Sequence, residues 1–286
     1  MNNTKPYTAS SPASEEATAF RRSLGRAAIL SAAALATTLT LTSCGNAPQD
    51  SDAQTPAVQG GQVFSTGSQG KKPQKVLWMG DSVAVGEALP LEASLKASGI
   101  GFASMASEGG GGVLGPKPIT DATWQELAKK LSSEHPDTVA YQITTYDWGT
   151  AAEQQAAYEK LITTAKAAGA RALIVSSPPF DVDSDFYAKS KAAIASAPKA
   201  AKAAVAAHFD DASFLDSVAL WGTDYKAPKA QRASDKIHSC QQGTASFAQW
   251  FISELGELDG FKPADAKKWA AGEWTKSDVF SKLNCA

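Results

Sequence analysis

The sequence predicts an α/β domain, built on a parallel sheet of about five strands with helices on both faces. Two observations carry this. Short apolar runs alternate with stretches of helical spacing, which is the pattern of parallel strands joined by crossover helices. The chain is also long enough, at 286 residues with 43% hydrophobic and 20% charged, to bury a sizeable core. That usage lies far from the polar, charge-rich profile of a disordered chain.

The first strand is residues 75–79 (KVLWM), an apolar run bounded by polar residues. Gly80-Asp81-Ser82 follows as a turn, and residues 83–97 read as a helix. Further strands are expected at 101–105, 138–143 and 172–177, with a short one at 213–215. Between them, residues 123–133 place Trp124, Leu127 and Leu131 at spacings of three and four, and residues 150–168 place Tyr158, Leu161 and Ile162 on one face. Both stripes suit helices covering a sheet. Residues 186–208 are helical in composition but are expected to be interrupted at Pro198, and a helix over 245–255 closes the series.

Ahead of this domain stands an address segment. Arg21, Arg22 and Arg26 precede a weakly apolar run over residues 27–41, which ends in Leu41-Thr42-Ser43-Cys44-Gly45. That is a signal-peptide layout, and the run of 15 residues is short of the roughly 18 a spanning helix needs. The small residues before Cys44 resemble a bacterial lipobox, so Cys44 is expected to carry lipid as the first mature residue, with plain secretion as the alternative. Arg21-Arg22 lacks the flanking pattern of a twin-Arg signal. Residues 1–43 are therefore assigned to the signal peptide and 44–72 to the lipidated Cys and a tether. The tether is rich in Gly, Ser, Gln, Ala and Pro, and is expected to be flexible. The domain is assigned to 73–286, exported, held at the outer face of the cell membrane by its lipid, and expected to be a monomer.

Composition excludes other classes. The 27 Lys+Arg against 29 Asp+Glu form no basic stripe, so nucleic acid is not a partner. The 3 Cys show no CxxC spacing, and no metal or organic cofactor is called for. Cys240 and Cys285, in a compartment where disulfides persist, are expected to pair, with two free thiols as the alternative.

Ligands gather at the carboxyl ends of strands in such folds, so the residues after each apolar run are the place to look for chemistry. A serine hydroxyl becomes a nucleophile when an imidazole takes its proton and a carboxylate holds the imidazole. Ser82 follows a buried strand and opens a helix whose amides can face an oxyanion, although Gly-Asp-Ser also suits an ordinary N-cap. Of the three histidines, His135 precedes Pro136 and His208 ends a helix. His238 has Asp235 three residues before it, in a loop that lets the carboxylate reach the ring. An isolated DxxH would more often be a cap than a catalyst.

Taken together, these signals resemble the SGNH (GDSL-type) hydrolase superfamily over residues 75–256. The resemblance rests on Gly80-Asp81-Ser82, the glycine-bearing loop at 107–112 (SEGGGG), Pro136-Asp137 before the third strand, and Asp235-x-x-His238 before the last helix. It implies a flavodoxin-like three-layer α/β/α sandwich with Ser82 as nucleophile, His238 as base and Asp235 as orienting acid. The implied oxyanion hole combines the Ser82 amide, a glycine amide from Gly110 or Gly112, and an Asn side chain. Where the family shows Gly-x-Asn-Asp, this chain has Thr144-Thr145-Tyr146-Asp147, so Tyr146 stands in the Asn position. Asp147 and Trp148 are expected either to be structural or to line an acyl pocket. Similar strings occur in SGNH domains associated with bacterial envelope acyltransferases.

The expected activity is ester hydrolysis or O-acyl transfer through an acyl-serine, on acylated envelope glycans or small esters. The rival reading is a non-catalytic module that holds glycan or a membrane acyltransferase partner. Trp269 and Trp274 are expected to anchor the C-terminal tail rather than form a sugar platform.

Overall fold

The computed structural model describes residues 57–59, 62–64 and 71–285. The signal-peptide assignment and Cys44 lie outside the described residues. The strands are β1 (Ala57–Gln59), β2 (Gln62–Phe64), β3 (Lys75–Met79), β4 (Gly101–Ser104), β5 (Thr138–Gln142), β6 (Arg171–Val175) and β7 (Ala212–Leu215). They form one sheet in the order β1-β2-β7-β6-β5-β3-β4, in which the last five named are mutually parallel.

Because both faces are covered, each central strand is apolar at consecutive positions rather than alternate ones. In β3, Val76 and Trp78 face one core while Leu77 and Met79 face the other. Trp78 packs its ring against Phe247 and Phe251. The first core lies between the sheet and helices α1 (Ser82–Ala97) and α6 (Gln241–Asp259). The second lies under α2 (Lys117–Glu134), α3 (Ala151–Ala167) and α4 (Lys191–Ala207). The result is the three-layer α/β/α sandwich that the resemblance implied. Short helices α5 (Val218–Trp221) and α7 (Asp278–Ser281) complete the chain.

The structure corrects three expectations. Pro198 does not interrupt α4, which runs through it. An interior proline costs a helix roughly 3 kcal/mol, and burial of Ala197, Ala200, Ala201, Ala204 and Val205 on one face outweighs that. The second helix begins at Lys117 rather than near residue 123, since the prolines at 116 and 118 suit a helix start. The stretch expected as a flexible tether contributes a hairpin: β1 pairs antiparallel with β2, and β2 pairs with β7 through Val63↔Phe214. Two Val-bearing triplets flank Gly60-Gly61, a hairpin sequence, and the β7 edge offers unpaired backbone groups.

The tail is fastened to the domain. Trp269 is buried in the α1/α6 core, and the indole of Trp274 donates to the Trp269 carbonyl at 2.8 Å. These contacts make both tryptophans tail anchors. Cys240, the N-cap of α6, is bonded to Cys285 with 5.8 Å between the Cα atoms. Closing a loop of 45 residues stabilises the folded state by about 4 kcal/mol in the chain-entropy model. Reduction, or Cys240→Ser with Cys285→Ser, is expected to lower the melting midpoint by roughly 10 °C. Calorimetry with and without dithiothreitol checks this; an unchanged midpoint would show that the crosslink constrains nothing.

Candidate active site

Strand β3 is followed by Gly80, whose φ is +152°, and a Cβ there would lie 2.5 Å from that of Ala84. Only glycine lets the chain turn so sharply into α1. The next residue, Asp81, caps that helix. Its Oδ1 accepts from the Val83 amide at 3.0 Å, and its Oδ2 accepts from the Thr145 amide and hydroxyl, both at 2.7 Å. The cap is therefore the aspartate, which leaves the Ser82 hydroxyl free for other work. Burial pushes the Asp81 carboxyl up, and the bonds from Thr145 and Val83 oppose that rise.

Ser82 Oγ lies 2.9 Å from His238 Nε2, and His238 Nδ1 lies 2.6 Å from Asp235 Oδ2. Asp235 Oδ1 also accepts from the amides of Ile237 and His238, at 2.9 and 3.0 Å. Burial pushes the Asp235 carboxyl up, but these bonds and the charge of His238 outweigh it and hold the group below its ordinary value. The structure thus joins Ser82, His238 and Asp235 in one hydrogen-bonded chain. His135 and His208 stand apart as the caps ending α2 and α4.

The glycine loop sits against the same turn. The Ser107 amide donates to the Gly80 carbonyl at 3.0 Å, and the Gly110 amide to the Ser107 carbonyl at 3.2 Å. Gly111, with φ +83°, presses on the β3–α1 turn so closely that a Cβ would fall 1.9 Å from the Gly80 oxygen. Gly112 packs instead beside Thr144 and Asp147. The glycine in direct contact with the serine turn is Gly111, between the two singled out from the sequence. Nothing in a run of four glycines distinguishes it, because the signal is a non-local backbone approach.

Asp147 proves structural. Its buried carboxylate accepts from the hydroxyls of Tyr141, Thr144 and Tyr158 at 2.7–2.8 Å. Burial nevertheless pushes it up to about 6. Tyr146 turns its ring toward Trp148 and Phe186, with centroids 5.6 and 6.2 Å away. Burial, and then the charge of Asp81, push its phenol up, so it stays a hydrogen-bond donor. Phe186 is 60% exposed and stacks edge-on against Tyr187 at 4.9 Å. Burial pushes the Tyr187 phenol up against the pull of its bond with Thr145, and it feels the charges of Asp81 and Asp235. Tyr187 lies in the stretch 186–208 that reads from sequence only as helical, whereas α4 begins at Lys191.

Arg232 escaped the sequence reading altogether. Its guanidinium donates to the carbonyls of Ala230 and Ile237, at 2.7 and 3.0 Å, and lies 4.7 Å from the Trp221 ring centroid. Its backbone forms a bridge with Ser239. It therefore braces the loop that carries Asp235 and His238. Across from it on α1, fully buried Glu87 accepts from Gln142 Nε2 at 2.5 Å. Burial pushes Glu87 up to about 8, against the charge of Arg232 and the Gln142 bond.

A cavity of about 250 Å³ opens beside Ser82 and His238. A larger one of about 570 Å³ beside Trp250 and Trp269 has no ionisable side chain on its walls. Among the described residues no cluster of His, Cys, Asp and Glu could hold a metal ion.

Compared with solved structures, this is the SGNH hydrolase fold. A protein from Slackia heliotrinireducens described as an SGNH hydrolase superposes with a TM-score of 0.50 at 21% identity, covering 64% of this chain and 99% of that one. An acetylxylan esterase from Geobacillus stearothermophilus gives 0.46 at 17% identity, over 66% of this chain and 96% of that one. By sequence, the chain matches no family model and no curated protein.

The Glu87 site makes stability depend on pH. Its folded value, about 8, lies above the ordinary 4.5, so the folded state keeps a proton that the unfolded chain has lost. Stability is full below about pH 4.5 and falls as pH rises through about 8. Glu87→Gln is expected to flatten this part of the profile. Melting midpoints measured from pH 5 to 8 check it, and equal slopes in the two proteins would contradict it.

Proposed function

We propose that the protein is a serine ester hydrolase or O-acyl transferase that works through an acyl-Ser82 intermediate. The observation that carries this reading is the unbroken chain Ser82–His238–Asp235 at the N-terminus of α1. As the Ser82 hydroxyl attacks an ester carbonyl, His238 Nε2 takes its proton, and Asp235 holds the ring in the tautomer that leaves Nε2 free to do so. The carbonyl oxygen becomes an oxyanion facing the Ser82 amide, which as the first residue of α1 has no acceptor within the helix. The amide of Gly111 or Gly112, since that of Gly110 is spent on the Ser107 carbonyl, supplies a second donor, and the Tyr146 phenol, in place of the usual Asn, a third.

His238 then protonates the departing alcohol. Water releases the acid, or an acceptor hydroxyl takes the acyl group, with His238 again removing the proton. An exported, lipid-anchored placement at Cys44 would direct this chemistry to acylated envelope glycans or small esters. The Tyr146 substitution favours one second reading, a binding module for glycan or a membrane acyltransferase.

A serine-directed fluorophosphonate separates the two. The hydrolase reading expects labelling that Ser82→Ala abolishes, and p-nitrophenyl acetate turnover that falls about 10⁴-fold in His238→Ala. Absence of labelling in the wild type would leave the binding module. Tyr146→Phe removes only the phenolic donor and is expected to lower turnover by about 10²-fold, as for other oxyanion donors. A change under threefold would take Tyr146 out of the hole.

A further inference from the structure

The cavity beside Ser82 is closed on one side by a segment remote in sequence. Its inner walls are Val83, Val85 and Gly86 of α1, and its outer wall is Val279 and Leu283 from the C-terminal tail. Gly86 adds no side chain, and a Cβ there would meet only Thr244 Cγ2, at 3.9 Å. The tail is held in place by three ties. Cys285 is bonded to Cys240, two residues after His238. Both the amide and the hydroxyl of Ser234 donate to the Leu283 carbonyl, at 3.3 and 3.2 Å. Phe280 is buried, edge-on to Trp274. The same short stretch, residues 234–240, thus carries the base and its carboxylate and also fastens the outer wall.

We propose that Val279 and Leu283, clamped by the Cys240–Cys285 bond, form the wall that sets the size of the acyl group Ser82 accepts, and that this group is a short one. The inference rests on the acyl-serine reading. At about 250 Å³, the cavity falls below the roughly 300–1,000 Å³ of pockets for drug-sized ligands, and its walls carry four aliphatic residues, with Glu108, Ser239 and Lys282 also on the lining. Val83 and Val85 on one side and Val279 and Leu283 on the other give an alkyl chain apolar contact on both walls. Since the tail wall consists of two half-buried side chains, truncating them enlarges the cavity without opening the core.

The test is a series of p-nitrophenyl esters with one leaving group and acyl chains from acetyl to octanoyl, run beside fluorophosphonate labelling. Leu283→Ala and Val279→Ala are expected to raise kcat/KM for butyrate relative to acetate by about tenfold. Leu283→Trp should lower that ratio, and reduction of the disulfide should relax it toward longer chains. A wild type that is labelled and turns over acetate, with the ratio unchanged in every variant, overturns the inference alone. A wild type that is neither labelled nor active overturns this proposal together with the reading beneath it.

Discussion

The site depends first on one buried carboxylate, that of Asp81. It binds the amide of Val83 at the start of α1 and both polar groups of Thr145 in the loop after β5. Two neighbouring strand ends are thereby locked to the first turn of the helix. A carboxylate stripped of water is unfavourable unless its lone pairs are taken up by donors, and here three donors do so. Because Asp81 performs the capping, the adjacent hydroxyl of Ser82 is turned toward His238 rather than spent on the backbone. Moving the cap by one residue would tie up the Ser82 hydroxyl.

Two further carboxyl groups buried in this region differ in how many donors they hold. Asp147 takes hydroxyls from Tyr141, Thr144 and Tyr158 and settles at about 6. Glu87 has one side-chain donor, Gln142, and an Oε1 with no hydrogen-bond partner among the described residues; it rises to about 8 even with Arg232 nearby. Desolvation wins more completely where fewer hydrogen bonds oppose it. The charges of Glu87, on the helix that Ser82 opens, and Arg232, on the loop that carries His238, act on each other through the interior. The contact of Lys236 with Asp181 in the loop after β6, at 3.4 Å, is screened and contributes little.

The parallel strands, the Gly80 turn and the DxxH unit were legible in the sequence because each is a local statement about periodicity, backbone freedom or short-range reach. Strand ends differed by a residue or so, as expected where chain ends fray. The β1–β2 hairpin was hidden for a different reason: its two triplets sit in polar, small-residue sequence and gain their pairing only from the exposed edge of β7. Pro198 misled because intrinsic propensity is weaker than the packing of an alanine face. Arg232, Gly111 and Tyr187 went unseen because what matters about each is a contact with a distant segment.

Fold class, the turn that presents Ser82, and the reach of Asp235 to His238 are all written locally in the chain, since three residues suffice to bring the last two together. The folded sheet decided that the imidazole meets a hydroxyl 156 positions earlier, at 2.9 Å. It also decided which glycine presses on the turn, and that the C-terminal tail walls the cavity. Local pattern specifies what each segment can become, but which segments meet depends on the burial of apolar faces shared by the whole sheet, and no single stretch encodes that.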